Sequence, residues 1–460
     1  MSGSEDKGLR RTALLTAALA SYVTPFLGSA TNIALPAIEK EFQIHAVVVS
    51  WIPTAFLLAA AICLVPFGRV SDIFGRRRVF AAGAGVFTLG SVTAGLSFSE
   101  YMLIAARAMQ GAGTAMIYAN AISILTTVFP AEERGKVLGI NVAAVYTGLA
   151  TGPFLGGVLT QFLSWRSVFL FTVPLSLTVL FMVLGKFKQE WAHAGGEKFD
   201  FAGTAIYAAS ITSVMVGISY LPDLFSAALI GAGLLGMVMF VLFESRVKDP
   251  VFEVSLFKTN RLFAFSNLAA LLQYTSTFGV PFLLSLFLQH VKGFGAMTAG
   301  AILVAQPVVM ASLSPFAGKL SDRVEPRLVC TIGMACITLG IFLLTFIGPD
   351  VSIVHIIGAL LVVGLGYAFF SSPNNNAIMS SVQKRQYGIA SGTMGTMRVL
   401  GQMTSMGVAT MLFAIIIGRV RISPESHPEF ITSVQVAFTI FCALSFLAMI
   451  ASIFRGRVRG

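Results

Sequence analysis

Long uncharged stretches alternate with short charged connectors along nearly the whole chain of 460 residues. Two stretches, 101–131 and 386–418, contain a single arginine each. Twelve others contain no Asp, Glu, Lys or Arg: 12–38, 42–68, 79–99, 137–165, 167–185, 201–222, 224–243, 262–291, 293–318, 328–349, 351–383 and 430–454. A helix needs roughly 20 apolar residues to cross the hydrocarbon core of a bilayer. The pattern therefore predicts fourteen transmembrane helices.

Composition supports an all-α membrane protein. Hydrophobic residues make up 56% of the chain, charged residues make up 11%, and the mean hydropathy is +0.84. This leaves too little polar surface to cover a water-soluble globule. The four cysteines show no Cys-x-x-Cys spacing, so neither a metal site nor another cofactor is expected.

The basic residues are unevenly distributed among the connectors. With the N-terminus in the cytoplasm, 24 of the 31 Lys and Arg residues lie in the tails and in the connectors on that side. This bias predicts a multi-pass protein of the cell inner membrane with both termini in the cytoplasm. The net charge of +11 is spread among these connectors and does not form the stripe of a nucleic-acid-binding surface.

Two connectors carry related sequences, PFGRVSDIFGRRR at 66–78 and PFAGKLSDRVEPR at 315–327. Eight apolar stretches lie between them, whereas a duplicated six-helix unit would place six there. Two helices are therefore predicted to be inserted. The predicted organisation is a six-helix bundle at 1–185, a linker with two inserted transmembrane helices at 186–260, and a second six-helix bundle at 261–460. Repeated membrane halves are typical of secondary transporters.

The first of these connectors combines spaced glycines, an aspartate and a run of arginines. Glycine permits a tight turn, the aspartate can accept hydrogen bonds at a helix N-terminus, and the arginines can pair with a neighbouring helix end. Topology anchoring alone would require the arginines but not the spaced Gly-Asp-Gly. The residues of this predicted conformational loop are Gly68, Asp72, Gly75, Arg76, Arg77 and Arg78, with Gly318 and Asp322 in the second copy.

Arg107 lies inside the fourth apolar stretch and is followed by Gln110, Gly111 and Gly113. An arginine at membrane depth costs about 2.5–3.5 kcal/mol on insertion scales and is usually functional. Snorkelling to the membrane surface is the alternative, because Arg107 is close to the start of the stretch at Tyr101.

The fifth stretch contains a ridge of small residues. Gly148, Gly152 and Gly156 recur every four residues, so they line one helix face and permit close helix packing. Pro153 adds a possible kink point, and Gly157 follows the ridge.

With these three motifs, the chain resembles the major facilitator superfamily, and in particular its fourteen-helix drug:proton antiporter branch. The matching patterns are the Gly-x-x-x-Asp-x-x-Gly-Arg-Arg loop, Arg-x-x-Gln-Gly-x-Gly, and Gly-x-x-x-Gly-Pro-x-x-Gly-Gly. The resemblance implies the major facilitator fold and multidrug-efflux export of amphipathic small molecules by alternating access. It also implies that protons are coupled, that the protein is a monomer in the lipid bilayer, and that Arg107 handles substrate or protons with support from Gln110.

The sequence departs from this branch in its first helix, where Leu27 stands at the usual aspartate position of 26–36. All 20 acidic residues fall in connectors, tails or the ends of apolar stretches. Proton coupling normally needs a titratable group at the cavity, and arginine stays charged. His290 and His355 lie near predicted helix ends. An uncoupled facilitator or uniporter of a neutral or anionic solute therefore stays open.

Without an acidic partner, Arg107 and Arg398 favour neutral or anionic amphipaths over lipophilic cations. Polar side chains within the stretches are candidates for the cavity lining, although each could instead join helices. The candidates are Asn32, Tyr118, Asn120, Asn141, Tyr146, Gln273, Tyr274, Asn374, Asn375, Arg398 and Gln402. Pro373, which precedes three asparagines, predicts a broken helix.

Two other classes are disfavoured. A membrane enzyme would need a nucleophile with its base or a metal motif such as His-Glu-x-x-His, and no such catalytic group is recognised. A transporter-like sensor would need a soluble domain to carry a signal.

Overall fold

The structure is a computed structural model that describes residues 3–187, 190, 199–247, 255–321, 323–383 and 387–456. Six helices form the N-terminal half: α1 Gly3–Phe42, α2 Ala46–Phe74, α3 Arg76–Gly95, α4 Glu100–Val128, α5 Ala131–Phe162 and α6 Trp165–Lys186. Two further helices follow, α7 Phe201–Ser219 and α8 Leu224–Glu244.

The C-terminal half begins with the short helix α9 Ser255–Thr259. It continues with α10 Arg261–Thr277, α11 Gly279–Leu286, α12 Ala296–Leu303, α13 Ala305–Ser321, α14 Pro326–Leu344, α15 Ile353–Ser380, α16 Tyr387–Leu412 and α17 His427–Phe454. Two π-helical segments, Phe287–Val291 and Phe413–Ile417, extend α11 and α16.

Within the described residues, thirteen helices are long and apolar enough to cross a membrane. Helix α3 is not among them, because three arginines occupy its first turn and shorten its uncharged part. The first inserted helix ends at Ser219, before the end of its predicted stretch at 222. The remaining helices follow the uncharged stretches closely, as expected where the bilayer requires internal backbone hydrogen bonding.

The expectation of a broken helix at Pro373 is wrong. Helix α15 runs without interruption through this proline, which is buried. Proline removes one backbone N–H, but packing of α15 against α13 and α14 on either side holds the helix together.

Helix packing divides the molecule into two halves that meet along two seams. Helix α1 packs on α5 and α2 on α4 in the N-terminal half, while α14 packs on α15 and α10 on α16 in the C-terminal half. Helix α5 contacts α12 and α13 across one seam, and α2 contacts α16 across the other. Helix α7 packs on α8 and lies against both α2 and α16.

Successive connectors lie alternately at the two ends of the helix bundle. The Ala46 N–H donates to Val420 O at 3.1 Å, and Arg166 Nη2 donates to Ser97 O at 2.9 Å. We call this the distal end, with connectors 43–45, 96–99, 163–164, 220–223, 292–295, 345–352 and 418–426. The opposite, proximal end carries the junction of α2 and α3 and the start of α10, where Arg261 Nε donates to Phe454 O at 2.9 Å.

Candidate functional site

Arg398 and four tyrosines meet between the two halves and form what we call the central cluster. Tyr118 comes from α4 and Tyr146 from α5, whereas Tyr274, Tyr367 and Arg398 come from α10, α15 and α16. Each lies at least nine residues, or about 13 Å, from both ends of its membrane-spanning helix. The cluster is therefore at mid-depth and is built from both halves.

The central cluster consists of aromatic rings packed around a cationic side chain. The Arg398 Cζ atom lies 5.5 Å from the Tyr274 ring centroid. The rings of Tyr274 and Tyr367 are T-shaped, with centroids 6.0 Å apart. The hydroxyls of all four tyrosines lie in the vicinity of the guanidinium. The Tyr146 hydroxyl donates to Ser371 Oγ at 3.5 Å and so links α5 to α15.

Three members of the cluster are partly exposed although they lie between the halves. Tyr118, Tyr367 and Arg398 have intermediate exposure, while Tyr146 and Tyr274 are 9% and 7% exposed. Because residues of the opposite half face them, their exposed surface lies between the halves and not toward lipid. Gln402, one turn beyond Arg398 on α16, is also partly exposed.

Arg107 lies apart from this cluster, inside the N-terminal half. Its Nη1 donates to Gln110 Oε1 at 2.7 Å, and its Nε donates to Ile52 O at 3.2 Å. Gln110 Nε2 in turn donates to Ser91 Oγ at 3.0 Å. Arg107 is 1% exposed, so it does not snorkel to the surface. Its role in substrate or proton handling stays a prediction.

The two glycines after Gln110 permit the close helix packing around this arginine. A methyl group at Gly111 would overlap Phe56 O of α2, and one at Gly113 would lie 2.6 Å from Phe87 N of α3.

The glycines of α5 separate into two contact faces. Gly148, Gly152 and Gly156 face α1, where a methyl group at Gly156 would lie 2.7 Å from Ala30 Cα. Gly157 faces the C-terminal half, where a methyl group would lie 2.6 Å from Ala296 O of α12. Pro153 O of α5 lies directly against Gly300, which is also on α12. The motif therefore forms both an internal contact and the seam between the halves.

The predicted role of Asp72 as acceptor at the start of α3 is wrong. Its Oδ1 accepts from Arg76 Nη2 at 2.9 Å, because Asp72 lies one turn before Arg76. Glu190 takes the capping position, and its Oε1 accepts from the Arg77 N–H at 2.9 Å. Arg77 Nη2 also donates to Leu184 O at the end of α6.

The glycines of the loop differ in their placement. Gly75 separates α2 from α3 with φ of 109°, a conformation that favours glycine, and Arg78 lies 3.6 Å from Glu190 Oε2. Gly68 and Gly318 lie within α2 and α13. Asp322 lies outside the described residues.

Several other candidates join helices and do not line the central cluster. Asn141 Oδ1 accepts from Ser21 Oγ at 2.9 Å, and Asn374 Oδ1 accepts from Arg455 Nη1 at 3.0 Å. Asn120 and Gln273 instead hydrogen-bond within their own helices, to Met116 O and Thr277 Oγ1. The backbone oxygen of Asn32 accepts from Ser285 Oγ of the C-terminal half. Asn375 is partly exposed in α15.

The sequence did not predict a second polar site, a distal clamp formed by Glu39, His290 and Ile422. Glu39 is 3% exposed, and its Oε2 lies 2.8 Å from His290 Nε2 of the C-terminal half. Its Oε1 accepts from the Ile422 N–H at 3.1 Å. Beside the clamp, Gln289 Nε2 donates to Ile33 O at 3.0 Å. This cluster joins the halves at the distal end.

Comparison with known proteins places this architecture in a family. The profile of the Major Facilitator Superfamily matches residues 17–406, so the chain belongs to this superfamily. It is accordingly a multi-pass membrane transporter and not an enzyme.

Individual relatives cover most of the chain. The cephamycin export protein CmcT of Amycolatopsis lactamdurans is 34% identical over 87% of this chain and 84% of its own length. The riboflavin transporter RibZ of Clostridioides difficile is 25% identical over 96% of both chains. The multidrug resistance protein Stp of Mycobacterium tuberculosis is 27% identical over 83% of this chain and 72% of its own length.

Among solved structures, the human organic anion transporter MFSD10 (TETRAN) matches with a TM-score of 0.62 and 16% identity. The match covers 98% of this chain and 100% of MFSD10. At this identity the likeness concerns the fold alone.

Proposed function

We propose that the protein is a secondary active exporter of amphipathic small molecules that works by alternating access. Two bundles of six spans rock about the central cluster, with α7 and α8 as an inserted pair and α3 as the fourteenth span. The uneven distribution of basic residues supports a cytoplasmic proximal end and an extracellular distal end. The naming of CmcT and Stp as export and resistance proteins supports the outward direction.

The observation that carries the proposal is the contrast between the centre and the distal end of the junction. Polar residues of both halves meet at mid-depth, whereas the distal clamp and the contact of Gln161 Oε1 with the Met297 N–H at 3.0 Å hold the halves together farther out. Export requires these distal contacts to open while the halves stay associated. The contact of Pro153 and Gly157 of α5 with α12 suits such movement. The two backbones can shift against each other there because no large side chain separates them.

Proton coupling is the finer part of the proposal. Glu39 and the partly exposed His290 form a carboxylate–imidazole pair that the opening of the distal end would separate, and we assign proton coupling to this pair. An uncoupled facilitator is the second candidate, because α10, α15 and α16, which supply most of the central cluster, contain no Asp or Glu.

Inverted membrane vesicles test the proposed function. Vesicles that contain the protein, with an ATP-driven proton gradient, are expected to accumulate radiolabelled amphipaths, and this accumulation should collapse when an uncoupler is added. Accumulation equal to that of vesicles with a Gly157→Ala variant would refute export. Uptake that only equalises the concentrations inside and outside, with or without the uncoupler, would support the facilitator.

A further inference from the structure

Building on the proposed function, we propose that the central cluster binds an organic anion with a planar aromatic ring. Arg398 is the counter-cation for the acidic group of this substrate, and the tyrosines contact its ring. This assigns a substrate class and a specificity-determining residue to the central cluster.

Arg398 makes no hydrogen bond or ion pair with the described part of the chain. Its Nε is buried without a hydrogen-bond partner, and its described contact is the ring of Tyr274. The two fully buried arginines, Arg107 and Arg455, differ from it. Arg107 donates to Gln110 and Ile52 O, and Arg455 donates to Asn374 and Pro326 O. An incompletely solvated guanidinium at mid-depth is unfavourable, so an anion that pairs with it gains both charge and hydrogen bonding.

The helices around Arg398 provide no carboxylate at its depth to neutralise it. Helices α10, α15 and α16 contain no Asp or Glu, and the acidic residues of α4 and α5 lie in the first turns of those helices. A lipophilic cation would therefore meet like charge without compensation. The charge distribution favours an anion over a neutral compound and a neutral compound over a cation.

The tyrosines favour a ring next to the acidic group. The T-shaped pair of Tyr274 and Tyr367 offers both a ring face and a ring edge, which are the geometries that aromatic partners prefer. Tyrosine hydroxyls can also donate to a carboxylate or sulfonate. Tyr118 and Tyr146 belong to the opposite half, so such a ligand would contact both halves at once.

A matched series of probes tests this proposal. The compounds are 2-naphthoate, 2-naphthol and 2-naphthylmethylammonium, which present the same ring with negative, neutral and positive groups at pH 7. Saturable binding to the purified protein in nanodiscs is measured by equilibrium dialysis against empty nanodiscs. We expect 2-naphthoate to bind ~10-fold or more tightly than the ammonium compound.

Variants of Arg398 locate the preference. Arg398→Gln should weaken 2-naphthoate binding ~10-fold and leave 2-naphthol within about 2-fold, whereas Arg398→Lys should keep the anionic preference. The matched control is Arg419→Gln, since Arg419 lies 5.2 Å from the Tyr220 ring at the distal end. This control should leave all three affinities unchanged.

The proposal fails if 2-naphthoate does not bind, if the three probes bind alike, or if Arg398→Gln keeps the anionic preference. If Arg398→Gln does not fold, the relative affinities of the three probes for the wild-type protein and for Arg398→Lys still test the proposal. If the vesicles accumulate substrate but the purified protein shows no preference for the anionic probe, the export proposal stands and the anion-site proposal fails. If the protein prefers the anionic probe but the vesicles accumulate no substrate, the anion-site proposal stands and the export proposal fails.

Discussion

The distal clamp leads to a prediction about Glu39→Gln. The amide keeps the shape of the carboxylate and can still accept from the Ile422 N–H, but it removes the negative charge that lies 2.8 Å from His290 Nε2. Hydrogen bonds to charged groups contribute about 1.5–3 kcal/mol and neutral ones about 0.5–1.5 kcal/mol. Part of this difference is offset because the buried charge no longer needs desolvation. We therefore expect the closed form to lose about 1 kcal/mol, which enlarges the distally open population about 5-fold.

Distances between spin labels measure this shift. Leu96 and Phe346 are suitable positions, since they are 62% and 61% exposed in distal connectors of opposite halves. The labels are placed in a background in which the four native cysteines are replaced. Double electron–electron resonance should then show a larger long-distance component in Glu39→Gln than in the parent.

A neighbouring carboxylate provides the control. Glu41 pairs with Arg166 at 2.6 Å, but both residues belong to the N-terminal half. Glu41→Gln therefore removes an ion pair at the same end without affecting the junction between the halves, and the distances should not change. Equal shifts in both variants, or no shift in Glu39→Gln, would refute the clamp.

Three further predictions concern the motifs. Gly157→Ala places a methyl group 2.6 Å from a backbone oxygen of α12 and should lower vesicle accumulation ~10-fold, while Gly139→Ala, which meets no atom within 4 Å, should retain activity. Asp72→Asn should alter the label-distance distribution toward the distally closed form at unchanged expression; an unchanged distribution would argue against the loop's role. Gln110→Leu leaves an Arg107 N–H without its acceptor and should destabilise the protein by about 1–3 kcal/mol, seen as a lower thermal midpoint in detergent; an unchanged midpoint would contradict this.

The sequence predicts the helices well because the bilayer constrains them strongly. Length and absence of charge located α5, α6 and α15 without tertiary information. The same reasoning identified Tyr118, Tyr146 and Arg398, since polar groups are conspicuous in apolar stretches. It did not identify Tyr367, which lies beside two phenylalanines in the same stretch as Asn374 and Asn375.

Contacts between residues far apart in the sequence could not be predicted from local sequence patterns. Glu39 and His290 each lie near a helix end in the sequence, and their pairing depends on how α1 meets the end of α11. Glu190 caps α3 from a linker more than 100 residues away, a contact that the loop motif itself does not encode. Pro373 obeys the local rule for a helix breaker, yet its neighbours override it.

The most direct test of proton-coupled export is proton movement in liposomes that contain the purified protein in one orientation. A pH-sensitive dye on the proximal side reports protons while 2-naphthoate is added to that side. The account predicts substrate movement toward the distal side accompanied by proton release on the proximal side, and both should be lost in Gly157→Ala. Movement of substrate without a proton signal would contradict coupling, and no vectorial movement of any probe would contradict export itself.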